Sequence, residues 1–383
     1  MQAITAAKLY TANEQIGAPL VLVEDGRIIA IHSRESHAVP AGATLLNYPD
    51  AVLVPGLVDL HIHGAAGYDV MEAEDSGLRR MAAFLAAHGV SSFLATTVTS
   101  ESSALLRAVE KIAAQIQQWP EHGLARPAGI HLEGPCISHS RNGVHPLDAI
   151  QQPSLEFFDR VYQASGGTLR LMTVAPELPG ALELIREATR RGVKVSIGHT
   201  DGDAEDARAA VAAGATHVTH TFNAMRPMLH RDPGVAGEAL TNPALFAEII
   251  ADGVHVDPRV VDIFVRCVGE ERSVLVTDAV SATGMGDGIY RLGTFEIAVK
   301  GLRAEAGGHL AGSVLTLDQA VRNVMEFASL PLQASVRMAT ANPAAMLGDD
   351  GIGVIREGSR ADITVLTAKG EPITSFIAGR ERA

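Results

Sequence analysis

The residue pattern of this chain points to a (β/α)8 TIM-like barrel carrying a small, discontinuous β-sandwich domain built from both chain ends. Three features carry that expectation. Eight short apolar segments alternate with helix-period segments through the middle of the chain, and both ends carry β-patterned stretches broken by turn residues. Across 383 residues, 47% are hydrophobic and only 20% charged, enough apolar side chain to bury a large core and too much for a disordered chain. The expected boundaries are 1–54 with 346–383 for the β domain and 55–345 for the barrel.

From the N-terminus, AITAAKLY, PLVLVEDGRIIAIH and ATLLNYPDAVLVPG read as strands, with Asp25-Gly26 turning a hairpin. The barrel strands follow as LVDLHIH (57–63), SSFLATTV (91–98), PAGIHLE (127–133), TLRLMTVAP (168–176), GVKVSIGH (193–199), ATHVTH (215–220), LFAEIIAD (245–252) and RSVLVTD (272–278). Continuous apolar strands of this kind suit a parallel sheet covered on both faces. Helical periodicity marks DSGLRRMAAFLAAHG, ALLRAVEKIAAQIQQW, LPGALELIREATRRG, DAEDARAAVAAG and PRVVDIFVRCVG. No GxGxxG follows an early strand, so a doubly wound open sheet is the weaker competitor. The Gly-rich stretch 280–311 predicts a β excursion over the barrel mouth. GVIREGSRADITVLTA and PITSFIAGRE then return to β pattern, and neither end is long enough to bury a core without the other.

Charge narrows the partners. Thirty-one basic against forty-four acidic side chains leave a formal charge of −13, which argues against nucleic acid or an anionic membrane as the main partner. Cys136 and Cys267 have no CxxC or zinc-ribbon spacing, as expected of a reduced intracellular protein without disulfides. MQAITAAKLYTANEQ lacks a basic segment followed by an apolar one, and no run of about 18 apolar residues occurs anywhere. A cytoplasmic, soluble protein is expected.

The candidate chemistry sits at the C-terminal ends of the predicted strands, where barrel enzymes place their sites. His61 and His63 end the first strand, Glu133 the third, His199 the fifth, His220 the sixth and Asp278 the eighth. Two residues apart on a strand, His61 and His63 project to one face and can reach one ion. Each residue alone admits a plainer reading: ordinary histidines in HIH, a turn-capping Glu133, core histidines at 199 and 220, an N-cap at Asp278. Yet a carboxylate ending so apolar a strand as AGIHL needs a partner or a metal, and six such coincidences are less probable than one site. Imidazole and oxygen ligands without thiolates suit Zn²⁺, with Fe²⁺ or another first-row ion as alternatives. His131 and His217 are expected to be non-ligands. Cys136, beside Glu133, has no motif around it that would make it a nucleophile.

PGLVDLHIHG, HLEGP (131–135), GHT (198–200), HTFNAM (220–225), DPGVAG (232–237), ADGVHV (251–256), LVTDA (275–279) and AGS (311–313) follow one another along nearly the whole chain. With these motifs the sequence resembles the amidohydrolase superfamily, and within it the enzymes that deacetylate N-acetylated amino-sugar phosphates. The resemblance implies a metal-dependent hydrolase that removes the acetyl group of N-acetylglucosamine 6-phosphate. Activated water would attack, Asp278 would serve as general acid/base and His145 would help to polarise the carbonyl. It implies Glu133, His199 and His220 as ligands of the common metal, with His61 and His63 at a second position that some relatives lack; one or two ions per subunit are both compatible. A bridging lysine on strand four is absent from TLRLMTVAP, so Glu133 would bridge. The implied substrate-binding residues are His145, Asn223, Ala224, Arg231, His255, Leu310, Ala311 and Gly312. Arg231 is the expected phosphate ligand, one that in relatives reaches across a homodimer interface. Alternatives at this stage are another amide (the galactosamine epimer, an N-acyl amino acid, a cyclic amide) or a non-catalytic barrel acting as a binding protein.

Overall fold

The computed structural model describes residues 1–120, 123–293 and 295–382. Eight parallel strands form the central sheet: β1 (Leu57–Ile62), β2 (Val90–Thr97), β3 (Arg126–Glu133), β4 (Leu169–Val174), β5 (Lys194–Ile197), β6 (His217–Val218), β7 (Phe246–Ile249) and β8 (Ser273–Leu275). Each pairs with the next in sequence order. The ring closes between β1 and the segment after β8, where Asp278 N–H donates to the His61 carbonyl and His63 N–H to the Ala279 carbonyl, both at 2.8 Å. At the opposite end, Val58 and Leu275 bond instead to the carbonyls of Ala339 and Met338, which wedge between the two strands.

All eight predicted strands form, but several are shorter than predicted. Extended structure stops at Ile197, Val218 and Leu275, before His199, His220 and Asp278. The cause is local: these three residues take φ of +48°, +27° and +50°, left-handed backbone that cannot continue a ladder. Phe222 and Ala224 are also left-handed, at +78° and +46°. Such non-glycine residues cost on the order of 1–3 kcal/mol each, and here they gather at one end of the barrel.

A helix follows each strand: α1 (Asp75–Ala87), α2 (Ser102–Gln117), α3 (Leu155–Ala164), α4 (Ala181–Arg190), α5 (Ala204–Ala213), α6 (Gly234–Thr241), α7 (Pro258–Val268) and α8 (Leu317–Phe327). In α2, Leu105, Val109 and Ile112 make the buried stripe and the Glu101 carboxylate caps the first turn. Helix α5 opens on a capping box of Asp203 and Asp206 and ends at Gly214, whose φ of +117° stops it. Helices α3, α6 and α8 lie outside the segments whose periodicity predicted helix. Six of the eight residues of α6 are buried, so it has no broad polar face to create the pattern.

Both chain ends share a second sheet of eight strands. Gln2–Tyr10 runs parallel to Thr44–Pro55, which pairs on its other side with Ile363–Leu366. Its core holds Ile4, Leu9, Val21, Leu53, Ile363 and Phe376. The predicted hairpin turns at Asp25 and Gly26, both left-handed as such a turn requires. The excursion after β8 is an antiparallel sheet of Gly288–Leu292, Phe295–Lys300, Arg303–Ala306 and His309–Leu310, packed through Leu292 and Ile297 on Val98 and Val280. Among the described residues no helix is long and apolar enough to cross a membrane.

Candidate metal centre and active-site cavity

At the C-terminal end of the barrel, six side chains from five strand ends converge on one point. Glu133 Oε1 lies 3.2 Å from His61 Nε2, 3.2 Å from His199 Nε2 and 3.1 Å from His220 Nε2. Its Oε2 lies 3.2 Å from His63 Nε2. Asp278 Oδ1 lies 3.1 Å from His63 Nε2 and 3.5 Å from His61 Nε2. Metal–ligand bonds of 2.0–2.1 Å at tetrahedral angles would set donor atoms roughly 3.3 Å apart, close to these separations. The ligand atoms of His61, His63 and Glu133 all fall within 4.8 Å of one another, as do those of Glu133, His145 and His199.

Hydrogen bonds on the far side of each ring decide which nitrogen faces inward. His63 Nδ1 lies 3.1 Å from the Thr96 carbonyl and His199 Nδ1 2.9 Å from the Arg141 carbonyl, so in the neutral ring these nitrogens hold the proton and each Nε2 presents a lone pair. His145 is wired the opposite way. The Thr99 backbone N–H donates to its Nδ1 at 3.1 Å, and the Thr99 hydroxyl lies 2.7 Å from the same nitrogen. In the neutral ring the proton therefore sits on Nε2, which lies 3.5 Å from Glu133 Oε2. Although close enough to count among possible ligands, His145 is built as a donor into the cavity. Gly134 permits that arrangement: its φ is +75°, and a Cβ there would stand 2.0 Å from the Thr99 hydroxyl oxygen.

The centre is buried and charged. Burial alone would lower the imidazole pKa values, but the carboxylates more than offset it: His61 is held well above its usual value and His63 is raised to about 9. Conversely, burial would raise the two acids, yet the neighbouring imidazoles hold Glu133 well below the usual range and Asp278 at about 2. Burial dominates at His145 and lowers it, keeping the ring neutral. Among the described residues, every ion-pair partner of Glu133 and Asp278 is a histidine. With neutral imidazoles the cluster carries two buried negative charges and no lysine or arginine against them. A divalent metal ion is the group that fits this donor set and balances its charge.

The centre forms the floor of a cavity of about 400 Å³. Of the residues expected to bind substrate, His145, Asn223, Ala224, His255, Leu310 and Gly312 line it. His255 Nδ1 is 2.7 Å from Asp252 Oδ2; burial would lower its pKa, but this carboxylate raises it. Gly312, with φ +59°, passes so close that a Cβ would stand 2.7 Å from the Asp278 carbonyl oxygen. Ala311 does not line the cavity: it is fully buried in the core beneath the excursion. Nor does Arg231, which stands exposed on the loop that also exposes Met228 and Leu229. His131 lies inside the barrel with its ring edge-on to His61 and Nε2 2.8 Å from the Thr173 hydroxyl, and His217 packs beside Phe246; neither lines the cavity. Cys136 is buried with its thiol pushed up to about 12, which makes it a poor nucleophile.

Sequence reasoning passed over Arg141 and His309, which line the cavity, and Glu248 and Thr99, which hold its histidines from behind. For Glu248 a signal existed, since an acid inside LFAEIIAD poses the same question as Glu133 in its own strand.

Residues 52–382 match the model of the amidohydrolase family. An N-acetylglucosamine-6-phosphate deacetylase of Vibrio furnissii is 36% identical over 378 residues, covering 97% of this chain and 92% of that protein. An N-acetylgalactosamine-6-phosphate deacetylase of Escherichia coli O157:H7 is 36% identical over 366 residues, covering 95% and 94%. Among solved structures, a mutant N-acetyl-D-glucosamine-6-phosphate deacetylase from Mycobacterium smegmatis, in complex with N-acetyl-D-glucosamine-6-phosphate, superposes with a TM-score of 0.92. It shares 37% identity and covers 99% of this chain and 98% of that one.

Proposed function

This chain belongs to the amidohydrolase family, and we propose that it is a metal-dependent deacetylase that converts N-acetylglucosamine 6-phosphate to glucosamine 6-phosphate and acetate. The observation that carries the proposal is Glu133 set among four imidazoles, with Asp278 alongside, on the floor of a cavity sized for one sugar phosphate.

Glu133, His199 and His220 would hold one ion, and His61 and His63, sharing Glu133, a second; zinc is the metal that this nitrogen and oxygen set suits best. When bound, a divalent cation supplies Lewis acidity and brings the pKa of water toward ~7. Asp278, ionised at neutral pH, accepts the proton of the attacking water. His145 Nε2–H donates to the acetyl oxygen as negative charge gathers on it. Protonated Asp278 then returns its proton to the amine nitrogen, and the tetrahedral carbon, whose new C–O bond formed in the attack, expels that nitrogen by breaking the C–N bond and collapses to acetate. Asn223 and His255 orient the sugar so that the acetyl carbon meets the water.

The test is acetate release from N-acetylglucosamine 6-phosphate by the purified protein, with its metal content measured and then stripped by a chelator. Activity lost on stripping and regained on adding Zn²⁺ is the expected result. Equal turnover of the substrate without its phosphate would sink the substrate assignment. Replacing His145 by Ala is expected to lower kcat by about 10²–10³-fold with the ions retained, because one donor to the oxyanion is gone. Steady-state kinetics beside metal analysis checks it.

The phosphate needs a cation that the cavity of one chain supplies sparingly, and the exposed Arg231 would serve a neighbouring copy. A cytoplasmic homodimer in which Arg231 reaches the partner's cavity is part of the proposed reading, supported by the exposed Met228 and Leu229 on the same loop. Mixing an Arg231→Ala chain with an Asp278→Asn chain is then expected to restore activity, since one site of each mixed dimer has both groups intact. Mixed dimers no more active than either parent would overturn the shared site.

A further inference from the structure

Strand β7 carries an acid that the proposed mechanism does not use. Glu248 is completely buried, and its Oε2 lies 3.4 Å from His61 Nδ1. The same oxygen accepts the backbone N–H of His220 at 3.2 Å, and the Glu248 carbonyl accepts that of Thr221 at 2.8 Å. Its Oε1 has no hydrogen-bond partner among the described residues. His61 is its ion-pair partner, and no lysine or arginine stands within salt-bridge distance of it among the described residues.

Packing does not account for this residue. A buried carboxylate with one oxygen unpartnered is costly, and a leucine would fill the space without that cost. What a leucine lacks is an acceptor for the Nδ1–H of His61. Without that acceptor the ring can carry its proton on Nε2 and turn a hydrogen, rather than a lone pair, toward Glu133 and Asp278. A carboxylate behind a ligating imidazole also makes it more basic, and such partners govern metal affinity. Glu248 further braces both N–H groups of the turn in which His220, at φ +27°, departs from β6.

We propose that Glu248 is a positioning residue of the metal centre: it fixes His61 with Nε2 facing the cavity and so creates the ion position formed by His61 and His63. The proposal rests on the metal-dependent reading above, and the experiment separates the two. Ion-binding constants are measured by chelator competition for the wild type, Glu248→Leu, which removes the acceptor at similar volume, and Glu248→Gln, which keeps an acceptor oxygen. Melting temperatures are recorded for all three.

The wild type is expected to bind two ions. Glu248→Leu should weaken the second by about 10–100-fold, and Glu248→Gln should recover most of that loss. Unchanged constants in Glu248→Leu, or a Gln variant as weak as the Leu variant, would overturn the role. A wild type that binds a single ion overturns it too while leaving the function standing, and one that binds none sinks both. Should the Leu variant not fold, ¹⁵N-histidine spectra of the wild type decide: a proton on Nδ1 of His61 supports the role, and one on Nε2 ends it.

Discussion

Asp278→Asn is expected to keep both ions and to lower kcat by about 10²–10⁴-fold, the range of a lost general acid/base. Asparagine has the shape of aspartate and keeps an oxygen to face His63, whose Nε2 lies 3.1 Å from the present carboxylate. The backbone N–H that donates to the His61 carbonyl is untouched, so the barrel still closes. What disappears is the capacity to take a proton from water and return it to nitrogen. KM should move little, because the acetamido group remains held by the same neighbours. Metal analysis with steady-state kinetics gives the answer: a variant within about tenfold of wild type, with ions bound, would remove Asp278 from proton transfer.

The second large effect is at Glu133. Glu133→Gln replaces a carboxylate that faces four imidazoles by an amide whose NH2 must point at some of them. The amide NH2 then donates to imidazole lone pairs that would otherwise hold an ion, and the negative charge that balances the cations is halved. Metal affinity should fall by more than the ~10–100-fold typical of losing an outer partner, and activity should vanish with the metal. Calorimetric metal titration checks the first and acetate release at saturating Zn²⁺ the second. Full metal occupancy at wild-type affinity would show that Glu133 is not a shared ligand.

Much of this architecture is legible in the residues. The barrel strands announce themselves because a strand covered on both faces must be apolar throughout, and five of the eight barrel helices show the stripe of a half-buried helix. The acids and histidines stand out because they interrupt that pattern at strand ends. Strand lengths are less legible. Nothing in GVKVSIGH or RSVLVTD warns that His199 and Asp278 are left-handed, since neither position holds the glycine that usually marks such backbone. Helix α6 escapes because a helix buried on nearly every side has no period to read.

Local residue pattern is enough to establish the barrel, the pairing of the two chain ends and the convergence of Glu133, His199, His220, His61, His63 and Asp278 on one mouth. Periodicity and the position of a residue within its strand are properties of short segments, and strand ends on one side of a barrel have nowhere else to meet. The direction of each imidazole, by contrast, is set by the folded arrangement alone. His145 is a donor because Thr99 lies behind it, and His61 an acceptor toward the centre because Glu248 does, 187 residues away. The same holds for Arg231, which the fold leaves outside its own cavity. Proton positions depend on partners brought together from distant segments, and no local pattern of residues encodes which of two ring nitrogens such a partner will meet.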